Sequence, residues 1–437
     1  MTIYNTPAAG ENVENRVGFF GQDSWTIANR LTLNLGVRFD VNRGYLGAIS
    51  NPAGTWVPAR SIPKTDVINQ KIGVWRAGMV YDPVGDGKSA FKASYSRYAL
   101  QVGVDRVQNV NPFFLTSASC VWNDSDHNGM AQPNEISGCS GFPGLTRHYA
   151  STNGPNWPYS DELSAGVERE VGPDIRVGAM YYHRTNRNQV GTLNTAVPSS
   201  AYTPVTITVP SGSTGPGGTV TLYNLDPTYL GLQNNVITNV PYLNTIYNGV
   251  EFTANKRFSG RWQMVAGLTI GRNKGGVNDS GVVGQVTTTD LNDPNRTAFA
   301  NGIVGYDSKY AFRLAGSYII PGDVTVAGSL ISNGGFPYTS TYTVNRSLYP
   351  GLTRSSQVVF LSNRGDERLP NVSMADLRIS RAFRFAGNRR VVPQIELFNI
   401  ANASTVVAIN GGVGSSYLKP TQIVAPRIIR IGLNIDF

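Results

Sequence analysis

Long hydrophobic runs are missing from this chain: no stretch of its 437 residues approaches the ~18 to 20 consecutive apolar residues that a membrane-spanning helix needs. The mean hydropathy of −0.18 likewise excludes a bundle of such helices. Charge is sparse, at 15% of residues, and the excess of 37 Lys and Arg over 28 Asp and Glu is scattered, with no basic block beyond Arg389-Arg390. That scatter, without a zinc-finger, helix-turn-helix or RNA-recognition pattern, argues against a nucleic-acid partner. The two cysteines are too few for a disulfide scaffold. The three histidines, His127, His148 and His183, stand far apart, and no His-Glu-x-x-His, Gly-x-Ser-x-Gly or Cys-x-x-Cys occurs, so nothing points to an enzyme. Gly85-Asp-Gly-Lys-Ser89 imitates the end of a phosphate loop. Asp82 stands where that loop needs its first glycine, however, and no helix follows, so the segment reads as a hairpin turn. Met1 leads into Thr2 to Pro7 with neither a basic region nor an apolar one, so no signal peptide is read.

What the chain has is glycine and aromatic side chains: 48 Gly, 21 Tyr, 17 Phe and 6 Trp. A Gly- and Tyr-rich chain of near-neutral hydropathy suits a transmembrane β-barrel, in which only every second residue faces lipid. Period-two segments support that. Ile429, Ile431, Leu433, Ile435 and Phe437 alternate with Arg430, Gly432, Asn434 and Asp436, and Leu31 to Phe39 and Trp262 to Ile270 do the same. About thirteen such segments are expected, near 16–25, 30–40, 70–81, 88–98, 160–170, 174–184, 248–258, 261–272, 309–320, 323–332, 372–385, 389–399 and 426–437.

The connections between them alternate. Tight turns of Gly, Pro and Asn at 26–29, 83–87, 172–173, 259–260, 321–322 and 387–388 are separated by long connections near 41–69, 99–159, 185–247, 273–308, 333–371 and 400–425. All the long ones then fall at one end, the layout of an outer-membrane barrel with short periplasmic turns and long extracellular loops. The fold expected is all-β, an antiparallel transmembrane β-barrel spanning 1–437, holding about 13 or 14 strands of a larger barrel. Thirteen strands begin outside the cell, so the chain is expected to be the C-terminal portion of a longer protein.

Arg16-Val-Gly-Phe-Phe-Gly-Gln-Asp-Ser-Trp25, followed by Arg30-Leu-Thr-Leu-Asn-Leu-Gly-Val-Arg38, resembles a hairpin of TonB-dependent receptors, especially their Oar-like group. Gly85 to Tyr98, Leu369 to Arg381, Ile395 to Asn402 and Pro426 to Phe437 resemble further strands of that group, in order. The terminal Phe437 resembles the assembly signal of bacterial outer-membrane barrels. The resemblance implies a monomeric outer-membrane receptor and transporter with a plug inside a 22-stranded barrel, energised through the TonB system. No plug and no TonB box are read in these residues, so that contact would run through a missing plug segment. The implied partners are outer-membrane lipid and an extracellular ligand that the sequence leaves unidentified.

The strongest local signal lies in the 99–159 connection. Asp124, Asp126, Asn128, Gln132 and Glu135 place oxygen donors at relative positions 1, 3, 5, 9 and 12, with Gly129 at 6 and the carbonyl of Met130 at 7. This is the spacing of a calcium loop, so a structural Ca2+ is expected, the competing reading being a polar turn. Cys120 and Cys139 bracket it. A disulfide between them would close a loop of about 20 residues and add roughly 3 kcal/mol; two buried free thiols are the alternative. Arg38, Asp376, Arg378, Arg384, Glu396 and Arg430 are expected on the inner face, pairing with one another or meeting substrate. Trp25, Tyr81, Tyr181, Trp262 and Phe437 are expected in interfacial girdles. The uncharged 188–225 stretch reads as a mobile loop with a short hairpin at 206–209 and 219–223. A secreted calcium-binding β-protein, an adhesin or carbohydrate-binding module, is the alternative function, and a small passive porin a third.

Overall fold

In the computed structural model the described residues are 1–437 without 101–102, 114, 141–146, 277–290, 300, 304–306, 386–388 and 437, and with backbone only at 139 and 140. Thirteen long strands form one antiparallel sheet: β1 (Asn12–Ile27), β2 (Leu31–Leu46), β3 (Thr65–Tyr81), β4 (Ser89–Ala99), β5 (Tyr159–Glu170), β6 (Ile175–Arg187), β7 (Thr245–Ser259), β8 (Trp262–Gly276), β9 (Tyr310–Ile320), β10 (Val324–Asn333), β11 (Val372–Arg381), β12 (Arg389–Phe398) and β13 (Ile428–Asp436). Each pairs with the next in sequence, and among the described residues β1 and β13 do not pair with each other, so the wall is open with two free edges. The strand expected over 372–385 stops at Arg381. Phe383–Phe385 continues separately against β12. Phe437 and the expected turn at 387–388 lie outside the described residues.

The short connections are built from positive-φ residues. Ala28 and Asn29 (φ 50° and 54°) turn β1 into β2, and Gly260 and Arg261 (56° and 71°) turn β7 into β8, the backbone twist that tight hairpins require. In the turn from Asp82 to Lys88 the Asp82 carboxylate accepts the N–H groups of Val84, Gly85 and Gly87 at 3.1, 2.8 and 2.8 Å. Those bonds hold its carboxyl below the usual carboxylate range. The phosphate-loop likeness is therefore a hairpin whose N–H groups are already taken by the chain's own anion.

Register fixes the two faces. Trp25 pairs with Leu33, Leu33 with Met79, Tyr81 with Phe91 and Phe91 with Val167, so one apolar face runs from strand to strand. It continues to Ile395 opposite Ile431 and Leu397 opposite Ile429. These side chains are open to the surroundings, with Val37 at 66% and Ile431 at 80% exposure. A water-soluble sheet would bury them; a barrel leaves them for lipid. The strands of the first hairpin run to 16 residues, well past the ~9 to 11 that cross a bilayer. The extra length is at the long-connection end, where Arg43 interrupts the apolar column of Leu31 to Val41 that sets the expected bounds.

The packed core sits outside the barrel wall. Val209, Val220 and Leu222 from the 188–244 connection pack on Tyr342, Val344, Leu352 and Val359 from the 334–371 connection. Val240 and Leu243 meet Leu291, and Val110 meets Val190 and Ile237. The stretch read as mobile is packed instead: its hairpin is longer than expected, Tyr202–Thr208 against Thr219–Leu225, and Leu222 is fully buried.

Candidate functional site

All the long connections rise from one end of the wall, and two features there carry chemistry. The first is the acidic loop. Asp124, Asp126 and Glu135 bring one carboxylate oxygen each to within 4.8 Å of one another. The neighbouring strands, Ser117–Trp122 and Ile136–Ser140, hold its two ends together, and Thr2–Tyr4 adds a third strand. Glu135 is buried and accepts from Trp122 Nε1 at 3.2 Å, Ser125 N at 2.9 Å and Ser125 Oγ at 3.0 Å. Burial alone would raise its carboxyl, but these donors and the Asp126 N–H outweigh it and hold it below the usual range. Asp124 accepts from the Asn128 and Gly129 N–H groups at 3.1 and 3.0 Å, with His127 and Gly129 at positive φ giving the sharp turn.

Asn128 and Gln132 both donate their amide N–H to Asp126, at 2.7 Å each, so cation binding would need both amides turned to present oxygen. Met130 donates its N–H to Asn128 Oδ1 and its side chain is exposed. No Lys or Arg pairs with the three carboxylates among the described residues. An all-oxygen set without a counter-charge suits a hard cation. Ser119 lies opposite Ser140 and Val121 opposite Ser137, so the strands carrying Cys120 and Cys139 are neighbours. The side chain of Cys139 lies outside the described residues.

The second feature is the interlock of the long connections above the inner face. Asp293, fully buried, accepts from Arg354 Nη1 at 2.8 Å, and Asp307 from Arg368 Nη2 at 2.7 Å. Asn295 bonds the Tyr223 backbone in both directions, at 2.8 and 2.7 Å. Below them the inner face is lined by paired charges. Arg38 holds Asp40 at 2.7 and 2.8 Å, Arg430 holds Glu396, and Arg384 lies 3.4 Å from Asp323. Arg378 stands opposite Glu396 in register, and Asp376 anchors the Asn399 N–H at 2.9 Å where a long connection begins. Within the six residues expected to pair with one another, Glu396 pairs with Arg430 and faces Arg378, whereas Arg38 and Arg384 take Asp40 and Asp323, partners the sequence reading did not single out.

Sequence reasoning missed Arg97, which sits on the outer face between the rings of Trp75 and Tyr159, 4.2 and 4.0 Å away, and is bonded to Asp161 at 2.7 and 2.8 Å. Trp25, Tyr81 and Trp262 lie at the short-turn ends of their strands, as a girdle requires, whereas Tyr181 lies further along β6 and donates to Asn248 at 2.9 Å.

A family model described as an outer membrane beta barrel domain matches residues 2–343, more than half of the chain. The chain belongs to this outer-membrane β-barrel family. Its place is the bacterial outer membrane, with the short turns in the periplasm and the long connections outside the cell. Residues of the barrel are 31% identical over 197 positions to the TonB-dependent transporter Oar of Myxococcus xanthus, a match covering 38% of this chain and 17% of that protein. Among solved structures, the siderophore receptor PiuA from Acinetobacter baumannii superposes with a TM-score of 0.51 at 13% identity, over 97% of this chain and 43% of that one. The ferripyoverdine receptor of Pseudomonas aeruginosa gives 0.50 at 12%, over 98% and 39%. The barrel thus spans less than half the length of each, and these two likenesses speak to fold alone.

Proposed function

We propose that the barrel gathers an extracellular ligand with its interlocked outer connections and passes it inward as part of a TonB-dependent transporter, with no bond chemistry of its own. The observation that carries this is the packed lobe of long connections, all on one side of a membrane wall whose inner face is polar. The sequence likeness to the transporter Oar supports it. A secreted adhesin would have no use for an outer face of exposed Ile, Leu and Val. Energy would come from the TonB system acting on a plug, and the barrel would work as a monomer. The ligand belongs to the broad class that related receptors carry: siderophores, cobalamin, oligosaccharides or peptides. The test is uptake of a labelled panel of these by cells with the gene deleted or restored, in backgrounds with and without TonB. Uptake of one solute that needs both genes is the expected result; uptake indifferent to TonB would make the barrel a passive porin.

The acidic loop is proposed as a structural calcium site, with Asp124, Asp126 and Glu135 supplying carboxylates, Asn128 and Gln132 amide oxygens, and Met130 its carbonyl. Cys120 and Cys139 are proposed to form a disulfide across the adjoining strands. Calcium at an affinity near the ~10⁻⁴ to 10⁻³ M of extracellular modules should slow protease cleavage between Cys120 and Cys139. Chelator, Glu135→Gln or reductant should each restore cleavage. Cleavage at one rate in chelator and in excess calcium would leave a polar turn. Glu135 also sets a pH limit. Its lowered carboxyl contributes stability above the ordinary value of ~4.3, and that contribution is lost as pH falls through the lowered one.

A further inference from the structure

The outer face of β2 carries a column of Leu33, Leu35, Val37, Phe39 and Val41, and two residues past its end stands Arg43. On β3 the register partner of Val41 is Lys71, and that of Phe39 is Gly73. Arg43 and Lys71 therefore occupy diagonal positions on one face, a spacing of roughly 7 to 8 Å between Cα atoms. Both are exposed. Lys64 adds a third cation, its Nζ 4.1 Å from the centre of the Tyr45 ring, and Tyr45 continues the same face beyond Arg43. Arg43, Lys64 and Lys71 form no ion pair among the described residues, although most inner-face arginines named above have a carboxylate partner. Asp66, opposite Tyr45, is the acidic residue in register nearest them.

Height decides what meets these charges. At ~3.4 Å per residue, Arg43 lies roughly 7 Å beyond Val41, the last apolar residue of the column. The polar layer of a bilayer adds about 5 to 7 Å to each side of its hydrocarbon. A cation at that level on the outer wall meets lipid headgroups, while its own stem and the apolar column below lie along acyl chains. We infer that Arg43, Lys64 and Lys71 form a binding site for a lipid of the outer leaflet whose headgroup carries phosphate, with its acyl chains along Val37, Phe39 and Trp75. Trp75 lies opposite Val37 on the same face and reports on the site. The inference depends on membrane insertion and not on what the barrel transports.

The test uses the full chain extracted from its own membrane in a neutral detergent. A diphosphorylated glycolipid, or the same glycolipid stripped of its phosphates, is titrated in, and binding is read by native mass spectrometry and tryptophan fluorescence. With each surface cation contributing roughly fivefold, the phosphorylated lipid should bind at least tenfold more tightly than the stripped one. R43Q/K64Q/K71Q should bring the two lipids to parity, and K71R should keep the preference. K88Q/R261Q, which removes two cations at the short-turn end, should change nothing. Equal binding of both lipids by the unaltered protein would overturn the assignment. So would an R43Q/K64Q/K71Q protein that keeps the preference, or complete competition by millimolar inorganic phosphate, which would mark a general anion site.

Discussion

Ile431→Arg should all but abolish assembly of the barrel into a bilayer, although Ile431 is the most exposed of the large hydrophobic residues, at 80%. On a protein in water such a substitution falls within about 0.5 kcal/mol of neutral. On the lipid face near the bilayer midplane an arginine costs about 2 to 4 kcal/mol. Ile431 lies midway along β13 with Ile395 opposite it on the same face, so the larger figure applies. Asn434→Arg, on the inner face of the same strand, should cost little. The measurement is the folded fraction in lipid vesicles along a urea titration. A pair of variants that unfold alike would mean that the outer face of β13 does not meet lipid.

Leu222→Ala should loosen the extracellular lobe while leaving the membrane wall intact. Leu222 is fully buried among Val220, Val344 and Val359, and truncating such a leucine costs about 2 to 5 kcal/mol. Proteolysis should open the connections at 188–244 and 334–371 together, since their core is shared, and the urea midpoint of the strands should hold. Leu230→Ala, at a residue 53% exposed, is the matched control. Cleavage confined to one connection would contradict a common core.

The wall was legible because its rule is local. Alternation in Leu31 to Phe39 and Ile429 to Ile435 states strand, face and environment at once, and the Gly and Asn turns fix the order of the hairpins. The polar ends of the first strands were lost to that rule, since Arg43 stands where the outer face would next need an apolar side chain. The acidic loop was legible for a similar reason: its spacing lies within a dozen residues. The amide orientation of Asn128 and Gln132 was not, because it depends on hydrogen bonds that composition does not encode. The lobe was illegible altogether. Arg354 finds Asp293 across 61 residues and Thr353 meets Leu225 across 128, and nothing near either residue marks its partner. Uncharged Ser, Thr and Gly around Leu222 imitate a loose linker until the second hairpin arrives to cover them.

That shared core sets the unit in which this barrel can change. A binding loop standing alone can be lengthened, traded or shuffled between relatives without regard to its neighbours. Here a transplanted 188–244 segment would leave Val344 and Val359 bare and Arg354 facing a foreign surface, so altered specificity has to be inherited or engineered as a set of outer connections at once. Chimeras that exchange one connection should fail in the lobe, and those that exchange the whole set should carry the donor's ligand with them.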